Sequence, residues 1–87
     1  MLYHGTVDRV LDSIRATGLR PGRRHHVHLS TTADDASHVG ARRGRPVILT
    51  IDAAGLHEDG ATFHRADNGV WLTAHVPPDR ITFPHPG

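Results

Sequence analysis

Apolar positions in this chain come in short, periodic groups, and the periods predict several small strands and two helices. Val27 and Leu29 alternate with His26 and His28, the two-residue spacing of a half-buried strand. One face of that strand is apolar. The other carries two imidazoles, with Arg24 just before it and Ser30 at its end. Residues 46–51 (Pro-Val-Ile-Leu-Thr-Ile) form the most apolar run and predict a central strand closed by Asp52. Leu2 and Tyr3 open a short first strand that ends in a turn at His4-Gly5-Thr6. Val7, Val10, Leu11 and Ile14 fall at helix spacing, so Thr6 is read as the N-cap of a helix over residues 7–17. Gly18 suits the left-handed position beyond its end, and Pro21 prevents continuation. Residues 19–24 then make a basic, turn-rich connection.

Thr32 with Asp35 three residues later predicts the capped start of a second helix through Ala33, Ala36 and Val39, ending near Gly40. Arg42, Arg43 and Arg45 follow as a compact basic loop. Residues 53–60 are open between a turn and a helical piece. Residues 62–65 and 70–73 read as strands joined by Ala66-Asp67-Asn68-Gly69, whose Asn-Gly favours a tight turn. After Pro77-Pro78, residues 80–83 read as a last strand and residues 84–87 as a frayed tail. The expected fold class is α+β, with a small split antiparallel sheet, two short helices and one domain over residues 1–87. No internal repeat or dividing linker is evident.

Composition narrows the partners. With 87 residues, 37 % of them hydrophobic and 5 % aromatic, the core must be built mostly from Val, Leu, Ile and Ala. A chain this size buries only about 60–65 % of its unfolded surface, so modest stability is expected. There is no cysteine, which excludes disulfides and thiolate metal sites. No apolar run approaches the roughly 18 residues of a membrane span, and a cytoplasmic, monomeric protein without membrane contact is expected. All ten basic residues are arginine, the side chain suited to bidentate phosphate contacts, although arginine-rich codon usage accounts equally well for the total. Nine histidines are present, and His25, His26 and His28 cluster.

Several catalytic schemes fail on inventory. Glu58 is the single glutamate, which leaves paired-carboxylate hydrolysis weakly supported. Without lysine there is no phosphate-cradling Gly-rich Lys-Ser/Thr loop. His26 and His28 could begin a zinc site, but no third and fourth ligands stand out, and no metal is expected.

Five blocks in series carry a resemblance: Leu2-Tyr3-His4-Gly5-Thr6, Arg24 through Ser30, Val39 through Leu49, Asn68-Gly69-Val70-Trp71-Leu72, and Val76-Pro77-Pro78. Together they resemble the RNA 2′-phosphotransferase family over nearly the whole chain. The resemblance implies a minimal ADP-ribosyltransferase fold that uses NAD⁺ as a substrate. ADP-ribose is first transferred to an RNA phosphate with release of nicotinamide. A ribose hydroxyl then attacks that phosphate, freeing dephosphorylated RNA and a cyclic phosphate of ADP-ribose.

The resemblance also implies roles. His4 is expected to bond an NAD⁺ ribose hydroxyl and the Gly5 backbone to hold the nicotinamide carboxamide. Thr6 has two readings, a third member of this group or the helix cap. His28 is expected beside the nicotinamide riboside, and Ser30 on the nicotinamide amide. Arg42 or Arg43 is assigned to the pyrophosphate, the alternative being a solvated basic loop. Arg24 matches an arginine used at the acceptor phosphate, and Trp71 is expected in the core. Val70 takes the position where many protein-modifying relatives carry a catalytic glutamate. A hydroxyl acceptor needs such a base. A phosphate monoester, with a second pKa of about 6, is already nearly a dianion and needs charge neutralisation and aiming instead.

By the same resemblance the chain corresponds to the family's second half. Full-length members carry an N-terminal lobe that adds an Arg-His pair and a further arginine to the phosphate site. The expectation is a naturally short protein that keeps NAD⁺ binding, with the second, phosphate-removing step in question. Two functions are therefore carried forward: an ADP-ribosyltransferase acting on a phosphate of RNA or DNA, and a non-catalytic NAD⁺ or ADP-ribose module that works with a separate lobe. Transfer to a protein side chain is disfavoured by Val70.

Overall fold

The computed structural model describes residues 1–84, so the tail reading for residues 85–87 lies outside the described residues. Six strands and three α-helices follow in the order β1 (Leu2–Val7), α1 (Leu11–Thr17), β2 (Val27–Leu29), α2 (Ala33–Ala41), β3 (Pro46–Ile51), α3 (Ala53–Glu58), β4 (His64–Arg65), β5 (Trp71–Thr73) and β6 (Ile81–Thr82). The strands make two antiparallel sheets, ordered β1-β3-β6 and β2-β5-β4. This is the α+β class, with the sheet split as expected and one helix more than the periodicity alone defined. None of the described helices is long and apolar enough to cross a membrane.

The core lies between the sheets. Leu49 and Ile51 of β3 and Leu29 of β2 are completely buried together with Val76, and Ile14, Leu56 and Ile81 close the cluster. In β2, Val27 and Leu29 face this core while His28 stays half-buried, so the two-residue period reports its faces correctly. The two sheets touch through one ladder pair. Tyr3 and Ser30 exchange backbone bonds of 2.9 and 2.7 Å.

The cap assigned to Thr6 is overturned. Strand β1 runs on through Val7, which faces Pro46 across β3, and Thr6 is buried within it opposite Val47. A single 3₁₀ turn over Asp8–Val10 then leads into α1. Six residues of ladder and two buried β-branched side chains outweigh one capping bond. Elsewhere local signals hold. The Asp35 N–H donates to Thr32 Oγ1 at 3.1 Å at the start of α2, and the Gly55 N–H donates to Asp52 Oδ1 at 2.9 Å at the start of α3. That second cap decides the segment left open above. Asp52 also pairs with Arg80, whose guanidinium grips Asp59 in a two-bond fork.

Helix α2 lies directly on β1 because two glycines remove the side chains that would hold them apart. A Cβ at Gly5 would strike the carbonyl of Ala36, and one at Gly40 would sit 2.9 Å from the Thr6 carbonyl oxygen. This close seat carries the polar edge of α2 to the place where the sheets part.

Candidate functional site

In an antiparallel ladder, alternate residues turn their N–H and C=O to opposite sides. Tyr3 turns both groups toward β2, and by the same period so does Gly5. Continuing the register from Tyr3 and Ser30 would set Gly5 against His28. Among the described residues that pair does not form, because the strands diverge. The imidazole of His4 supplies the missing donor instead. Its Nδ1–H donates to the His28 carbonyl at 3.0 Å. Gly5 is buried, and the ladder period turns its N–H away from β3.

A carbonyl only accepts, so this bond fixes the His4 tautomer with the proton on Nδ1 and an acceptor lone pair on Nε2. His28 is held in the same way, its Nδ1–H donating to the His26 carbonyl at 3.1 Å. Neither Nε2 has a hydrogen-bond partner among the described residues. Burial holds the His4 pKa below the usual histidine value. The bond to the His28 carbonyl opposes that shift, and the positive charges of Arg43 and of His28 add to it. At neutral pH His4 is therefore the neutral acceptor form.

Because the folded state resists protonation of His4 and the unfolded chain does not, stability is expected to fall as pH drops from about 6.5 toward the lowered value. Its slope from this group is at most about 1.4 kcal/mol per pH unit. Above pH 6.5 the group is neutral in both states and contributes no slope. Chemical denaturation of the wild type and of His4→Asn across pH 5–8 checks this, the difference between the two curves isolating His4 from the other histidines.

A cavity of about 510 Å³ is lined by Ser30, Asp35, His38, Arg42, Arg65 and Val70 among others, and neither His4 nor His28 is in that lining. Ser30 comes from the end of β2, Val70 from the approach to β5, and Arg42 from the C-terminal end of α2. Arg43 stands near enough to His4 for its charge to be felt there. The sequence-derived residues thus divide. His4 and His28 meet at the split, with Gly5 next to His4 in β1, and Ser30, Arg42 and Val70 share the cavity. Thr6 is 2 % exposed and packs under α2 instead. Arg24 lies apart, exposed in the connecting loop, with its backbone N–H bonded to the Pro21 carbonyl at 3.0 Å.

Asp35, His38 and Arg65 were not singled out from the sequence. The first two with Arg42 fall at positions 35, 38 and 42, the spacing of one helix face, which is the signal that could have found them. A larger cavity of about 670 Å³ is mainly apolar, being lined by Leu2, Ala53, Phe63 and Trp71, and holds none of these groups. Trp71 packs against the core, as expected.

Residues 1–75 match the RNA 2′-phosphotransferase, Tpt1 / KptA family. The chain belongs to that family. Proteins named probable RNA 2′-phosphotransferase are 61 % identical in Streptomyces coelicolor over 98 % of this chain, 60 % identical in Pseudomonas aeruginosa over 88 %, and 51 % identical in Rhodopirellula baltica over 95 %. The matches cover 47, 42 and 45 % of those relatives, so the chain spans somewhat under half their length. Four of the five blocks read from the sequence fall within the matched residues, and the fifth, Val76-Pro77-Pro78, lies beyond them.

Proposed function

We propose that this chain binds NAD⁺ at the split between β1 and β2 and transfers its ADP-ribosyl group to a phosphate of RNA or DNA, releasing nicotinamide. One observation carries the reading: two imidazoles locked in the tautomer that leaves Nε2 as an acceptor, near a Gly5 N–H that the ladder period turns away from β3. Ribose hydroxyls are donors that suit those nitrogens, and the carboxamide oxygen of nicotinamide suits the N–H. Arg42 and Arg43 answer the pyrophosphate charge. In the transfer, a phosphate oxygen takes up the sugar bond that nicotinamide gives up. Val70 supplies no base there, and a phosphate dianion requires none. The names of the relatives support RNA as the acceptor class, and the α+β split sheet is compatible with an ADP-ribosyltransferase fold. NAD⁺ acts as a substrate, and no step assigned here calls for a metal.

Incubation with radiolabelled NAD⁺ and matched phosphorylated and unphosphorylated oligomers tests the reading. Label is expected on the phosphorylated RNA or DNA alone. Equal labelling of both, or labelling of protein only, contradicts it. Loss of an RNA 2′-phosphate would extend the assignment to both steps.

Arg24→Ala is expected to lower transfer to nucleic acid by about tenfold, the scale of one hydrogen bond to a charged group, with NAD⁺ affinity kept within about twofold. Parallel loss of both would move Arg24 into the dinucleotide site. A second reading, an NAD⁺ or ADP-ribose module without turnover, is favoured by the exposed position of Arg24 in the connecting loop. Calorimetry with NAD⁺ combined with a nicotinamide-release assay separates the two.

A further inference from the structure

The turn that delivers Val70 also carries a guanidinium with no ion-pair or hydrogen-bond partner among the described residues. Arg65 ends β4 opposite Trp71, and the Ala66 N–H donates to the Val70 carbonyl at 2.8 Å to close the turn. Arg65 and Val70 therefore stand on one rim of the 510 Å³ cavity. The Arg65 guanidinium carbon lies 5.9 Å from the centroid of the Trp71 ring. Among the described residues it has neither an ion-pair nor a hydrogen-bond partner. Arg42 also lines the cavity, from the end of α2. Asp35 is the one carboxylate in the lining, and it occupies the first turn of α2, where the helix N-terminus already favours negative charge. Two guanidiniums against one carboxylate give the cavity lining a positive balance.

A guanidinium is weakly hydrated and presents a planar fork of donors, and an aromatic ring beside it favours the cation. Such a group, unpaired at a cavity mouth, is suited to an incoming dianion. Resting on the transfer reading above, we propose that Arg65 selects the acceptor by holding its phosphate at the rim beside Val70. The charge at position 65 and the lack of charge at position 70 act together. A carboxylate at position 70 would add a second negative charge to the same cavity lining and repel the incoming anion. The turn is thereby a two-position selector, set here for an anion.

Binding of one RNA oligomer, with and without a 2′-phosphate, to the full chain by fluorescence anisotropy over a range of salt tests this. The wild type is expected to prefer the phosphorylated oligomer. Arg65→Ala is expected to reduce that preference about tenfold and to flatten the slope of log affinity against log salt by about 0.7, one single-strand phosphate contact. Arg65→Lys should keep most of the slope, because it keeps the charge. Val70→Glu should likewise lower the preference for the phosphorylated oligomer, through repulsion within the cavity lining. Thermal melting of each variant reports separately on folding. A wild-type preference retained in full by folded Arg65→Ala and Arg65→Gln overturns the role of Arg65 alone. A wild type that does not distinguish the two oligomers overturns the phosphate-acceptor reading itself, and the role of Arg65 with it.

Discussion

Gly5→Ala is expected to cost about 3 kcal/mol or more, which for a small domain is most of a stability of about 5 kcal/mol. The added methyl has nowhere to go. It lands on the carbonyl of Ala36, a backbone atom in the first half of α2, and so cannot be relieved by turning a side chain. Either α2 lifts away from β1 or β1 leaves β3, and both moves open a core that includes fully buried Leu49 and Ala36. Gly22→Ala gives the contrast. Gly22 has φ of 63° but nothing within 4 Å of an added Cβ, so only the backbone preference is charged there, about 1 kcal/mol. Urea denaturation of the two variants should place Gly5→Ala far below Gly22→Ala. Equal midpoints would show that α2 does not rest on Gly5.

His4→Ala is expected to raise the NAD⁺ dissociation constant about 30- to 100-fold, or about 2–3 kcal/mol. Two losses combine in it. The Nε2 acceptor disappears from the split, and the His28 carbonyl loses the donor that stands in for the absent ladder pair. The second loss frees the end of β2 to shift against β1, so a modest fall in stability of about 1 kcal/mol should accompany the loss of affinity. His28→Ala removes an acceptor without removing a bond between the two sheets, since its Nδ1 bonds within its own chain segment at His26. It should therefore weaken NAD⁺ binding with a smaller effect on stability. Calorimetry and denaturation of both variants check the pair. Unchanged affinity in His4→Ala would remove His4 from the site.

What was legible in the sequence was local. The alternation through Val27 and Leu29, the apolar run of β3 and the Thr32 cap each depend on residues within a few positions, and each is found where expected. Thr6 was misread for the complementary reason. Its hydroxyl and the helical spacing behind it are local signals, whereas the partner that decided the matter, Val47, lies far along the chain. The segment after Asp52 stayed open because its cap doubles as the end of a strand and as a partner of Arg80, 28 residues away.

The candidate site divides along the same line. His4, His28 and Ser30 could be proposed from family-like blocks, but the bond that locks His4 depends on where two strands stop pairing, and no spacing along the chain reports that. Arg65 was passed over because its surroundings come from a turn and from α2, and no motif joins them. Arg24, by contrast, was prominent in the sequence and lies in an exposed loop away from the cavity lining.

On the reading proposed above, the free ring nitrogens of His4 and His28 grip the dinucleotide. Nitrogen-15 NMR of the histidine rings during an NAD⁺ titration observes those atoms directly. The Nε2 resonances of both residues should move saturably, while both Nδ1 atoms stay protonated on their carbonyl partners. Saturable NAD⁺ binding that leaves both Nε2 resonances in place would contradict it.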